Sequence, residues 1–312
     1  MLSKVVTASI IGLHVVKIDV EVDTANGLPA VNIVGLPDAA VKESRDRVRA
    51  AIDNSDMEFP MQRVTVNLAP ADSRKEGTHF DLPIAMAVLL STEQANGDAL
   101  QNTVVIGELS LDGTIMGVSG VLPMIMELKS QGYKRMIIPW DNYDEAMLVE
   151  GIQCYFVTHL KELVSELEKG IQFETTKGIT AENSYETEPI EDFSELNGQE
   201  SLKRAMEIVA AGSHNLLIVG PPGSGKTMAA RRLPGILPEL SFEESMEVAS
   251  IYSAAGLLKN DIKTMRKRPF RAPHHTASTV SLTGGGSGLL SRKRITKNEF
   301  FSVKSLFIPR SS

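Results

Sequence analysis

The sequence predicts a two-domain protein, an α+β first half followed by an α/β nucleotide-binding second half, from three observations. At 312 residues the chain is about twice the usual domain length. Residues Gly220-Pro221-Pro222-Gly223-Ser224-Gly225-Lys226-Thr227 fit G-x-x-x-x-G-K-[ST] in full. Between 174 and 195 the composition turns acidic: Glu174, Glu182, Glu186, Glu188, Glu191, Asp192 and Glu195 stand against Lys177, giving −6 of the chain's −7. A stretch with so little apolar surface cannot offset its own ordering entropy. It reads as a flexible linker over 174–194, between a domain at 1–173 and a nucleotide domain that begins at 195.

Composition narrows the function classes. With 42% hydrophobic and 23% charged residues the chain is an ordinary globular one. A charge of −7 excludes a wholly basic nucleic-acid-coating protein, while leaving room for local basic patches. The one cysteine, Cys154, excludes an intrachain disulfide and any multi-cysteine zinc site. Its neighbours Ile152 and Phe156 predict a buried, inert thiol. No signal-peptide pattern opens the chain and no apolar run approaches bilayer thickness, so a cytoplasmic protein without membrane contact is expected.

In the first half, residues 4–20 read as two β segments. Gly35-Leu36-Pro37-Asp38 then opens a helix, with Asp38 facing its positive end. Val41, Val48 and Ile52 share one face of that helix, and the mixed charges from Lys42 to Arg49 form a solvated one. Val64, Val66 and Leu68 alternate with polar residues as a half-buried strand does. Leu82 to Leu90 is apolar enough for a fully buried helix, Asp112-Gly113 marks a hairpin turn, and Arg135 to Ile138 is a strand. Thr158 is expected to cap a helix carrying Leu160, Leu163, Val164 and Leu167.

The second half opens with Asn197-Gly198-Gln199 and a helix through Leu202, Ala205, Met206, Val209 and Ala210. Leu216-Leu217-Ile218-Val219 should form the strand before the glycine loop, and Met228-Ala229-Ala230 the helix after it. The chemistry needs this order. Glycines free the backbone to wrap a phosphate, the loop and helix N–H groups face the anion, and Lys226 adds a point charge for the β- and γ-phosphates. Thr227 is expected to place its hydroxyl on Mg²⁺, which implies ATP and Mg²⁺ as cofactors. Arg268 and Arg271 are candidates for contact with phosphate or DNA. The adjacent pair His274-His275 lacks a third metal ligand and does not make a metal site.

Two stretches of the first half, Lys75-Glu76-Gly77-Thr78-His79-Phe80-Asp81-Leu82-Pro83 and Val118-Ser119-Gly120-Val121-Leu122 running on to Gly132-Tyr133-Lys134-Arg135-Met136-Ile137-Ile138-Pro139, resemble the proteolytic domain of the Lon family. Its fold is shared with ribosomal protein S5. The family's serine nucleophile falls on His79 and its activating lysine on Leu122. A serine needs its base within hydrogen-bond reach, and leucine accepts no proton. The resemblance therefore implies the fold without peptidase activity, and His79 as a structural residue.

Across about residues 1–288, four further motifs resemble the YifB/ComM family, magnesium-chelatase-like AAA+ proteins with a Lon-like N-terminal domain. These are Asn32-Ile33-Val34-Gly35-Leu36-Pro37-Asp38, Val66-Asn67-Leu68-Ala69-Pro70-Ala71-Asp72, Leu233-Pro234-Gly235-Ile236-Leu237-Pro238, and the run from Arg268 through His275 to Ser278 followed by Gly284-Gly285-Gly286. What the resemblance implies is a hexameric, ring-forming ATPase that acts as a DNA helicase in branch migration during natural transformation. It also implies adenine-side contacts at Asn197, Gly198 and Gln199. A magnesium-chelatase motor subunit is the second expectation, disfavoured because the chelatase likeness is expected in the nucleotide domain alone. A non-catalytic assembly or regulatory protein is the third. After Gly288 the family pattern stops. The segment 289–312 carries Arg292, Lys293, Arg294, Lys297, Lys304 and Arg310 against Glu299, +5 in all. The segment lacks the acidic strand, sensor and arginine finger that hydrolysis uses. A truncated or frame-shifted end with impaired hydrolysis is expected.

Overall fold

The structure, a computed structural model, describes residues 2–12, 14–178, 191–258, 268–271 and 301–302. The chain divides into two compact units, Met1–Thr180 with Tyr252–Leu258, and Ala181–Ile251 with Lys259–Ser312.

The first unit is built on a mixed sheet of eight strands. They are β1 (Leu2–Ile11), β2 (His14–Ala25), β3 (Ala30–Val34), β4 (Arg63–Ala69), β5 (Thr103–Val105), β8 (Arg135–Pro139), β9 (Gln153–Val157) and β10 (Glu174–Thr175), in the order β10-β9-β8-β5-β1-β2-β4-β3. Between β5 and β8 a small hairpin joins β6 (Glu108–Leu109) to β7 (Ile115–Met116) across the Asp112-Gly113 turn. Alternation decides which side chains enter the core. Ile18, Val20 and Val22 of β2 and Val64, Val66 and Leu68 of β4 point to one face. There they meet α1 (Ala39–Asn54), α2 (Asp81–Ser91) and α5 (Leu160–Lys169). Nearly every α2 position is buried, as its unbroken apolar run requires. Another helix, α3 (Val121–Ser130), buries Leu122, Ile125 and Leu128 and touches β1 and β2; the short α4 is Tyr143–Ala146.

Local rules place the first long helix. Asp38 is its N-cap, accepting a hydrogen bond from the Val41 N–H at 2.8 Å. The chain reaches that cap through Gly35, whose φ of +99° suits glycine and whose missing side chain leaves room for the Leu68 carbonyl.

Two details depart from the sequence expectations in this unit. The cap of α5 is His159, whose Nδ1 accepts from the Lys161 N–H at 3.1 Å, while the Thr158 hydroxyl goes instead to the Glu162 carboxylate at 2.7 Å. Glu174 and Thr175, read as linker, are the edge strand β10, because Thr176 behind them is buried and hydrogen-bonded to the 149–152 turn.

In the second unit, α6 (Glu200–Gly212) and α7 (Lys226–Arg232) flank the glycine loop, and α8 (Phe242–Ala254) follows, its residues as far as Ile251 in this unit. Met206, Ala210, Ala229 and Leu233 form its small core, with Phe193, Leu196, Leu202 and Leu216 packed against them. The expected strand Leu216 to Val219 is not formed. No described strand lies beside it to share backbone hydrogen bonds, and Leu217 and Val219 are each 71% exposed. The linker expectation also meets a difference here, since Glu191 and Glu195 are both held by Arg232, with Glu191 at 2.9 Å.

Candidate functional site

The glycine loop is the place where sequence and structure bring reactive groups together. It runs from Gly220 to Gly225, and α7 begins at Lys226 with Gly225 as its N-cap at φ 78°. Gly223 is also left-handed, at φ +79°, with no atom near where a side chain would stand. These are conformations that a loop folded around an anion needs and that other residues reach only with strain. Lys226 lies over the loop, its Nζ donating to the Gly220 carbonyl at 3.0 Å, the Pro221 carbonyl at 2.6 Å and the Ser224 hydroxyl at 3.3 Å. Thr227, on the first turn of α7, is exposed. An ammonium over a glycine loop, followed by a hydroxyl, fits a polyphosphate with its Mg²⁺. Lys226 would meet the β- and γ-phosphates, and Thr227 would hold the metal.

Of the adenine-side candidates, Asn197, Gly198 and Gln199 are all exposed, and Gln199 reaches the loop itself. Its Nε2 donates to the Ser224 carbonyl at 2.9 Å. Arg268 donates from Nε to the Pro238 carbonyl at 2.8 Å and pairs with Glu244 at 3.3 Å. The backbone of Arg271 belongs to the two-residue strand Phe270–Arg271, which pairs in parallel with Phe301–Ser302. His274 and His275 lie outside the described residues. Among the described residues no group of three or more His, Cys, Asp or Glu side chains is placed to hold a metal.

In the first unit, the two Lon-like stretches both reach the end of β1. His79 Nε2 meets the Ala8 carbonyl at 2.9 Å. At Gly120, which caps α3, a side chain would overlap Ile10, two residues further along β1. Both positions are closed. Burial lowers the His79 pKa to about 4, keeping the imidazole neutral, and Leu122 is fully buried with its N–H donating to Glu145 at 2.8 Å. Cys154 is the buried thiol its neighbours predict, its pKa pushed up to about 12 by burial and the nearby Glu174 charge.

Sequence reasoning missed one buried cation and one half-buried one. Lys75 is fully buried and donates to the carbonyls of Pro70 and Ser73, fastening the loop after β4, while Arg47 clasps the buried Asp81 carboxylate with two hydrogen bonds. The first lay within a stretch noticed only for its Lon likeness. The second was counted as part of a solvated face.

Comparison with known proteins agrees with these features. A family model described as subunit ChlI of Mg-chelatase matches residues 20–142, and one described as magnesium chelatase, subunit ChlI, matches residues 192–297. The chelatase likeness thus extends over both halves, contrary to the expectation that it is confined to the second. The chain is 44% identical over 286 residues to the uncharacterized protein YifB of Escherichia coli (strain K12), covering 92% of this chain and 56% of that protein. It is 42% identical over 281 residues to the competence protein ComM of Haemophilus influenzae, covering 88% of this chain and 54% of that protein. Lon protease 2 of Bacillus subtilis is more distant, 28% identical over 165 residues, 48% of this chain and 30% of the protease. The chain spans little more than half the length of the YifB and ComM relatives it matches.

Proposed function

We propose that this chain, which belongs to the YifB/ComM family of magnesium-chelatase-like proteins, binds ATP with Mg²⁺ at the Gly220–Thr227 loop as part of a ring-forming homo-oligomeric motor that acts on DNA. The carrying observation is the loop geometry: Lys226 Nζ within 2.6–3.3 Å of three loop oxygens, at the head of α7. A phosphate offers that ammonium an anionic acceptor, adding the attraction of a second charge to a bond already charge-assisted on the donor side. DNA as the polymer, and branch migration as the work done on it, follow the family resemblance. The printed name of the ComM relative, a competence protein, accords with that. A second role, a motor for metal insertion, is favoured by the description that both matching family models carry.

The test is titration of the whole chain with a fluorescent ATP analogue in Mg²⁺, with and without single-stranded DNA. Binding that Lys226→Ala removes, and that DNA strengthens, is the expected result. Equal affinity in the Lys226→Ala variant refutes the nucleotide site, and indifference to DNA favours the metal-insertion role. For the first unit we propose a scaffold without peptidase activity, because the base position holds Leu122. Casein turnover by the chain refutes that.

A further inference from the structure

We infer that Gln199 is a positioning residue of the phosphate loop, holding the Ser224–Gly225 peptide so that its N–H faces a bound phosphate. This rests on the nucleotide site proposed above. The Gln199 amide donates to the Ser224 carbonyl at 2.9 Å. The carbonyl and the N–H of one trans peptide point in opposite directions. Pinning the Ser224 carbonyl on Gln199 therefore turns the Gly225 N–H away from Gln199. That N–H belongs to the last glycine of the loop, the N-cap of α7.

Gln199 is built for this reach. Its backbone is left-handed, φ 52° and ψ 46°, and its side chain makes no capping bond to α6, the helix it precedes. A non-glycine residue held in that conformation is strained, so other contacts must fix it. The Gln199 carbonyl supplies two, accepting from the Leu202 and Lys203 N–H groups at 2.9 and 3.1 Å. The backbone is thereby fixed at the start of α6 while the side chain crosses to a residue 25 positions later. A side chain at Gly225 would stand 3.6 Å from the Gln199 amide, so the amide packs on the peptide it orients. The segment leading to Gln199 is fastened as well, through the bonds of Glu191 and Glu195 to the largely buried Arg232 at the other end of α7. Both ends of the phosphate-loop helix are thus tied to residues 191–199.

A residue that reads adenine and one that orients the loop predict different losses. Two variants separate them. Gln199→Met keeps the length without the N–H donor and without a new charge, and Gln199→Gly removes the side chain while suiting the left-handed backbone. The whole chain and each variant are titrated in Mg²⁺ with ATP, GTP, inorganic tripolyphosphate and AMP, by displacement of a fluorescent ATP analogue. Loss of one hydrogen bond predicts that both variants bind all three triphosphates about 3- to 10-fold more weakly, by similar factors, with AMP unchanged. Triphosphate affinity equal to the unaltered chain, or a loss confined to the adenine nucleotides, overturns the inference. Lys226→Ala in the same titration separates the two proposals. If it weakens triphosphate binding and the Gln199 variants do not, only the positioning role falls. If it leaves binding unchanged, the nucleotide site falls and the positioning role with it.

Discussion

Burial of His79 makes the first unit lose stability on acidification in a way that one substitution isolates. The imidazole is 7% exposed, and its pKa is lowered to about 4 by burial, against 6.5 for the free side chain. Below pH 6.5 the unfolded chain takes up a proton that the folded chain refuses until about pH 4. The unfolded state binds more protons across that window, so stability is full above pH 6.5 and falls toward pH 4. Integrated to pH 4, the loss is about 3 kcal/mol. Carboxylates titrate in the lower part of the same window, so the informative quantity is the difference from His79→Gln, whose amide can still donate to the Ala8 carbonyl. The single tryptophan, Trp140, lies in this unit with its ring 5.3 Å from that of Tyr143, which lets fluorescence follow the unit that holds His79. Urea unfolding at pH 7, 6, 5 and 4 should show a loss about 3 kcal/mol smaller in the variant by pH 4. The same pH dependence in both proteins refutes a neutral buried His79.

Two further outcomes follow from the same unit. Replacing Arg47 with Met leaves the fully buried Asp81 carboxylate without the guanidinium that now holds it at 2.7 and 3.0 Å. That should cost about 3–5 kcal/mol in urea unfolding, most of it recovered by adding Asp81→Leu; a loss below about 1 kcal/mol refutes the assignment. A fragment ending at Phe173 lacks β10 and Thr176, whose backbone and hydroxyl bond to Val149, Gly151 and Ile152. It should be about 2–4 kcal/mol less stable than a fragment ending at Gly178, and equal unfolding midpoints would show that β10 adds nothing.

Much of the first unit is legible in its sequence, because alternation and helical spacing there coincide with burial. Val64, Val66 and Leu68 alternate and are buried in β4, and the apolar run of α2 is buried all round. What escaped has a physical reason in each case. The charge run of α1 read as solvated because mixed signs cancel, yet Arg47 lies within reach of Asp81, 34 residues later, a pairing that no local pattern records. The seven acids around 174–195 read as linker because composition is counted without partners, and two of them have one in Arg232. Leu216 to Val219 has strand propensity, but a strand is a pairwise object. Without a neighbour among the described residues the propensity is not realised. The glycine loop was legible to the residue, since its spacing encodes a backbone shape. That the Gln199 amide reaches the Ser224 carbonyl was not legible, because the sequence gives no direction to a side chain.

Exposure separates the two halves of the chain as places for a reacting group. A reacting group has to meet its substrate, and in the first unit the two positions that a Lon-like peptidase would use are taken by a histidine 7% exposed and a fully buried leucine. Their polar atoms are already spoken for. His79 is bound to the Ala8 carbonyl and the Leu122 N–H to Glu145. Around the glycine loop the balance is reversed. Gly220 to Gly223 and Thr227 are exposed, and the Lys226 ammonium meets the Gly220, Pro221 and Ser224 oxygens. Its bond to a neutral carbonyl is charge-assisted on the donor side alone, and an anionic acceptor there would add the attraction of a second charge.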